Sequence, residues 1–209
     1  AQSRAFEEAL RRMGIPYTIY GGISFYQRKE IKYLVAYLRL IVNPKDEEAL
    51  KRIINYPVRG IGKTTIDKLV LLSNEANVAM WEIMERADQY GFSAGTLTAI
   101  QDFVTMMKSF SSMLTKQNAY EVEFHVGKQT SIVKELFNYK STEGLQRYEN
   151  IQELFNSIKE WTESPDNEDG ELVDKSLGSY LQQITLLTDA DEKDPDADTV
   201  KLMTIHAAK

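Results

Sequence analysis

The sequence has no cysteine. This excludes disulfides and cysteine-held metals, and it fits a reducing compartment. Only two histidines occur, His125 and His206, and neither has carboxylates at metal-ligand spacing. Asp189, Asp191 and Asp194 do not match a calcium loop, so no metal site is expected. No Ser/His/Asp set and no paired carboxylates stand out, so no catalytic residue is expected. The longest apolar runs fall far short of a membrane span, and no secretory leader is visible. Those absences lead to the expectation of a cytoplasmic protein without a membrane partner.

What is present is ordinary for a soluble globular chain: 43% hydrophobic and 27% charged residues. A length of 209 residues suits one large domain or one and a half small ones. The formal net charge of −6 conceals an asymmetry. Residues 1–68 hold 13 Lys or Arg against 7 Asp or Glu, a net +6, while residues 69–209 hold 12 against 24, a net −12. A basic segment on an acidic chain permits a local nucleic-acid footprint. Chance clustering of solvated helix faces is the plain alternative.

The basic third contains the stretch around which the chain is organised, Arg59-Gly60-Ile61-Gly62-Lys63-Thr64-Thr65 and on to Leu69. An amphipathic run over 46–55 precedes it, with Ala49, Leu50, Ile53 and Ile54 on one face. Another follows, with Ile66, Leu69, Val70 and Leu72. The pattern predicts helix, tight hairpin, helix, with Thr64 or Thr65 near the second N-terminus. Gly60 and Gly62 allow positive φ and close approach of a ligand. The first amides of the second helix lack intrahelical partners, and with the helix dipole they favour an anion. A phosphodiester backbone fits this cradle, and Arg59, Lys63 and Lys68 add positive charge around it. No base would be read, so binding would be independent of sequence. Gly62-Lys63-Thr64 also looks like the end of a nucleotide-binding P-loop. That pattern needs glycine where Pro57 stands, and a strand where the upstream segment is helical. A glycine turn joining two core helices is the remaining alternative.

Elsewhere the pattern is mainly α. Residues 3–13 predict a helix closed by Gly14 and Pro16. Tyr17 to Tyr20 predict a short strand, broken by Gly21-Gly22. A strong helix is predicted over 27–42, with Ile31, Leu34, Val35, Leu38 and Ile41 sharing a face. Arg28, Lys29 and Lys32 crowd its first turns against the macrodipole, so Arg28 and Lys29 are candidate phosphate contacts, with plain surface charge as the alternative. Phe25-Tyr26 is either a stacking platform for a base or simply core. Further helices are predicted over 79–90, 97–114, 132–137, 144–161 and 176–187, Ser176 being an N-cap. The acidic stretches 163–171 and 189–198 read as solvated loops. Val200 to Ile205 carry a strand pattern, so β segments flank the helices at both ends. The simplest architecture is a helical domain inserted into an α/β domain of which only pieces lie here, and the chain reads as part of a longer protein.

Several motifs resemble the second motor half of superfamily 1 DNA helicases of the UvrD/PcrA/Rep type, in family order. Ala1-Gln2-Ser3-Arg4 resembles the end of a Thr-Asn-x-Gln-Ser-Arg motif. The run Gly21-Gly22-Ile23-Ser24-Phe25-Tyr26-Gln27-Arg28-Lys29-Glu30-Ile31-Lys32 resembles the block that opens the inserted domain. Residues 59–69 are similar to its duplex-binding Gly-Ile-Gly element. Arg147-Tyr148-Glu149-Asn150 and Ser176-Leu177 with Tyr180-Leu181 resemble weaker landmarks. The run Leu202-Met203-Thr204-Ile205-His206-Ala207-Ala208-Lys209 resembles the start of motif V.

The resemblance implies that 22–198 form the inserted domain 2B, and that 1–21 and 199–209 are pieces of the RecA-like motor domain 2A. It implies an ATP-driven 3′-to-5′ motor used in DNA repair or replication, with a duplex/single-strand junction, the rest of the motor and repair proteins as partners. Gly60, Ile61, Gly62 and Thr64 would hold duplex phosphates, and Thr204 and His206 would lie along the single strand. Both Walker motifs and the glutamate of motif V fall outside these residues. ATP and Mg2+ are therefore expected for the parent only, and these residues alone would not hydrolyse ATP. The family usually has an acidic residue where Tyr33 stands. A protein-interaction module of a helicase or helicase-nuclease relative is the alternative function.

Overall fold

The computed structural model describes residues 6, 9–10, 12–20, 25–137, 141–164, 174–192 and 199–203. The chain is mainly helical. Strand β1 (Tyr17–Tyr20) pairs in parallel with β2 (Val200–Met203), Tyr17 opposite Val200 and Tyr20 opposite Met203. The two expected β segments, one from each end of the chain, are thus neighbours. Residues 6, 9, 10 and 12 are helical. Gly14, at φ +63°, lets the Ile15 amide reach back to the Leu10 carbonyl at 2.9 Å, the closing bond of a left-handed C-terminal cap.

Helix α1 (Lys29–Val42) is the one the others gather round. It starts two residues later than periodicity predicts, because Phe25–Gln27 form a separate 3-10 turn. Ile31, Leu34, Leu38 and Ile41 are buried as expected, and so are Ala36, Tyr37 and Leu40. Burial beyond a single stripe is what a central helix shows. Each such large side chain contributes about 1.5–3 kcal/mol relative to exposure.

Helix α2 (Glu47–Ile53) starts at Asp46, whose carboxylate accepts from the Ala49 amide at 3.0 Å. Helix α3 (Lys63–Ala76) ends at Asn77 in the left-handed region. The segment predicted as one helix over 79–90 is divided at Arg86 into α4 (Met80–Glu85) and a 3-10 turn, Ala87–Gln89. Helix α5 (Ala94–Ser111) begins three residues earlier than predicted, capped by Ser93. Helix α6 (Ala119–Gln129) is not among the predicted helices, although Asn118 and Glu121 form a full capping box at its start. Helices α7 (Ile132–Phe137), α8 (Thr142–Glu163) and α9 (Leu177–Glu192) follow. The last runs through Asp189 and Asp191, so the expected acidic loop is helical in its first residues.

Two details set how the helices lock. A Cβ added to Gly127 of α6 would lie 2.5 Å from the Phe155 ring of α8, so glycine permits that approach. At the start of α1, the Asn150 amide of α8 donates to Glu30 Oε1 at 2.5 Å and accepts from Arg28 Nη1 at 2.8 Å. Glu30 and Asn150 are both buried. This chain of bonds joins residues 120 positions apart. Among the described residues, no helix is long and apolar enough to cross a membrane.

Candidate nucleic-acid interface

The connection between α2 and α3 runs over residues 54–62 and is longer than a two-glycine turn. Its centre is Asn55. The Asn55 Oδ1 accepts from the Arg59 amide at 2.8 Å and from the Ile61 amide at 3.2 Å. A short side chain thereby satisfies two loop amides that lack ladder partners. Ile61 is wholly buried and its amide is taken by Asn55, so this residue anchors the loop and presents nothing to a ligand.

The sequence leads one to expect Arg59 to present charge to a phosphate. Its side chain turns inward instead. Nη1 donates to the carbonyls of Ile53 at 3.2 Å and Pro57 at 2.9 Å, and Nη2 donates to the Tyr37 hydroxyl. The guanidinium carbon lies 5.7 Å from the Tyr37 ring centre and 5.6 Å from that of Phe103, within cation–π range. The Tyr37 hydroxyl donates in turn to the Tyr56 carbonyl at 2.6 Å. Burial pushes the Tyr37 hydroxyl up to about 12, against the lowering effect of Arg59. Tyr33 stacks on Tyr56 with ring centres 3.8 Å apart.

The two glycines do different jobs. Gly60 is at φ +81°, where L side chains are strained. Gly62 is extended, at φ −77° and ψ 178°, and is the N-cap of α3. Thr64 and Thr65 are thus the second and third residues of that helix, near its N-terminus as expected. Gly62 has no side chain to cap it, and no acidic residue stands in the first turn. Its carbonyl accepts from the Thr65 and Ile66 amides, both at 3.1 Å. Gly60, Lys63 and Thr64 are exposed and Thr65 is half-buried. Open amides, the positive end of a helix of 14 residues, an exposed lysine and hydroxyls thus meet at one end of the loop. Lys68 is engaged elsewhere, donating to the Gly91 carbonyl at 3.0 Å and lying 4.4 Å over the Phe92 ring centre.

The other expected contacts divide. Phe25 is 0% exposed, so it is core and presents no face for a base. Arg28 is half-buried and bonded to Asn150, which accounts for a cation placed against the dipole of α1. Lys29 is exposed, with Nζ 5.9 Å from the Tyr33 ring centre. Thr204 and His206 lie outside the described residues. Asn55 and Tyr37, which brace the loop, are not among the residues that the sequence pattern singles out. Their one local signal is an asparagine just ahead of a Pro/Gly turn. Among the described residues, no group of three or more His, Asp or Glu could hold a metal. A cleft of about 340 Å³ lined by Arg12, Tyr26, Glu160, Trp161 and Tyr180, among others, shares no residue with the loop.

Comparison with known proteins bears on the whole length. A family model described as a UvrD-like helicase C-terminal domain matches residues 1–209. The chain is 34% identical over 215 residues to ATP-dependent DNA helicase PcrA of Bacillus subtilis, and 36% identical over 210 residues to DNA helicase II of Haemophilus influenzae. It is 35% identical over 212 residues to PcrA of Staphylococcus aureus. Each alignment covers 100% of this chain and 28% of the relative.

Proposed function

The chain belongs to the UvrD-like helicase C-terminal domain family, and on that premise we propose that residues 60–65 hold phosphates of duplex DNA in an ATP-dependent helicase. The observation that carries this reading is the uncapped, exposed N-terminus of α3, presented by a braced loop with Lys63 and Thr64 at its mouth. Open amides and a helix dipole favour a phosphate oxygen, and Lys63 neutralises it. Gly60 and Gly62 contribute backbone, Ile61 anchors the loop beneath them, Lys63, Thr64 and Thr65 contribute side chains, and Lys29 adds an outlying charge. Arg59 supports the loop from behind. Residues 22–198 act as the inserted 2B domain at the duplex/single-strand junction. The paired strands β1 and β2 support assignment of the two ends to one motor domain, with 1–21 and 199–209 as its pieces. ATP and Mg2+ act at the motor, outside these residues.

The test is fluorescence anisotropy of the intact protein on a duplex with a 3′ single-stranded tail, across a range of salt. Lys63→Ala is expected to weaken binding and to reduce the slope of log affinity against log salt by about one. A variant with the affinity and slope of the parent would sink the phosphate reading and leave the protein-interaction module in its place.

A further inference from the structure

We propose that Val58 is an apolar contact to the duplex, pressing on deoxyribose and base edges in the groove beside the phosphates held by residues 60–65. The inference rests on the phosphate reading above and adds a contact of a different chemical kind.

Val58 is 81% exposed, more than any other large hydrophobic residue among those described. A lone exposed aliphatic on a surface needs no explanation. This one is distinguished by how its neighbours are held. The Tyr56 carbonyl accepts from Tyr37, and the Tyr56 ring stacks on Tyr33. The Pro57 carbonyl accepts from Arg59 Nη1, and the Arg59 amide donates to Asn55. Residues 56 and 59 are tied to α1 through Tyr33 and Tyr37, residue 57 is tied to Arg59, and residue 58 between them is turned out to water. A β-branched side chain is stiff at χ1, so little rotamer freedom remains to be lost on contact. The loop thus carries a rigid apolar knob five residues before Lys63, and no packing within the described fold uses it.

The occupant follows from where the knob sits. Phosphates drawn to the α3 N-terminus bring the duplex against this loop, and the apolar surface next to a phosphate is the sugar and the groove edge of the base. Proteins that bind in the minor groove frequently place apolar side chains against the base steps there. The contact carries no charge, so it contributes to affinity without releasing counterions.

That difference makes the proposal separable from the phosphate reading. In the intact protein, Val58→Ser is expected to weaken binding to a 3′-tailed duplex by about five-fold, the order that partial burial of one valine supplies. The salt slope should stay at the parent value. Val58→Ile should bind as the parent does, and affinity for the single strand alone should be unchanged in both. Because residue 58 is exposed, thermal melts should show folding intact. If Val58→Ser matches the parent on duplex while Lys63→Ala lowers the slope, the phosphate cradle stands and the Val58 contact is overturned. An equal loss on single strand and duplex also overturns it. If Lys63→Ala changes neither affinity nor slope, the phosphate reading fails and the Val58 contact fails with it.

Discussion

The Arg59 guanidinium donates to the hydroxyl of Tyr37, 22 residues earlier, and that hydroxyl donates to the Tyr56 carbonyl. The most obvious cation of the glycine loop is therefore committed to the protein. Its planar fork reaches two carbonyls and a hydroxyl at once, a task to which a single ammonium is poorly matched.

Arg59→Lys keeps the charge and loses the fork. It is expected to cost about 1–3 kcal/mol of stability, as loss of buried hydrogen bonds does. Duplex binding should weaken while its salt slope stays unchanged. Urea melts and salt titrations read the two effects. Full binding by Arg59→Lys, with a slope lowered by one in Arg59→Ala, would make Arg59 a direct phosphate ligand instead.

The loop glycines should separate by substitution. Gly60→Ala places a side chain at φ +81° and should cost about 1–2 kcal/mol. Nothing lies within 4 Å of a Cβ built on Gly62, and its backbone is extended, so Gly62→Ala is free of strain and should cost only about 0.5–1 kcal/mol, because alanine is a poorer N-cap than glycine. Gly62→Asp gives a sharper test. Its carboxylate would cap α3, raising stability by about a few tenths of a kcal/mol, while occupying the amides proposed for phosphate. Thermal melts should rise slightly as duplex affinity falls.

Asn150 bridges Arg28 and Glu30 through one side chain. Asn150→Ala removes both partners and leaves a buried carboxylate short of a donor. A loss of about 2–3 kcal/mol is expected in urea denaturation. A change below about 0.5 kcal/mol, the range of an ordinary surface substitution, would show that the bridge is dispensable.

Glu123 is wholly buried in α6, and among the described residues neither carboxylate oxygen has a hydrogen-bond partner. Burial pushes its carboxyl well above the ordinary 4.5. The folded state therefore keeps a proton that the unfolded chain gives up near pH 4.5. The folded state binds more protons, so stability falls as pH rises above that value. Glu123→Met, similar in volume and without the carboxyl, should melt higher than the parent near neutral pH. It should also show a flatter decline as pH rises above about 4.5. Parallel curves for the two proteins would overturn the assignment.

Much of the local structure is legible in the sequence. Tyr17–Tyr20 and Ile132–Phe137 occur as predicted, because β-branched runs and helical apolar spacing are local signals. Helix α6 is the exception. Its apolar stripe is interrupted by Glu123, an ionisable residue in a core position, and the capping box that marks its start stands without a clean stripe behind it. The candidate site is half legible. Glycines, Lys63 and Thr64 mark the mouth of the loop in sequence, but the direction of each side chain does not follow from its type.

The sequence by itself determined most of the helices, the two terminal strand segments, the glycine loop and the family motifs. All of these depend on residues within a few positions of one another. Tertiary structure decided that β1 lies beside β2, that Phe25 is core, and that Arg28 and Arg59 point inward while Lys63 and Val58 point out. An arginine turns inward only where carbonyls, a hydroxyl or an amide await it, and here Tyr37 and Asn150 stand 22 and 122 residues away. Partners at that separation are brought together by packing around α1, which no local pattern encodes.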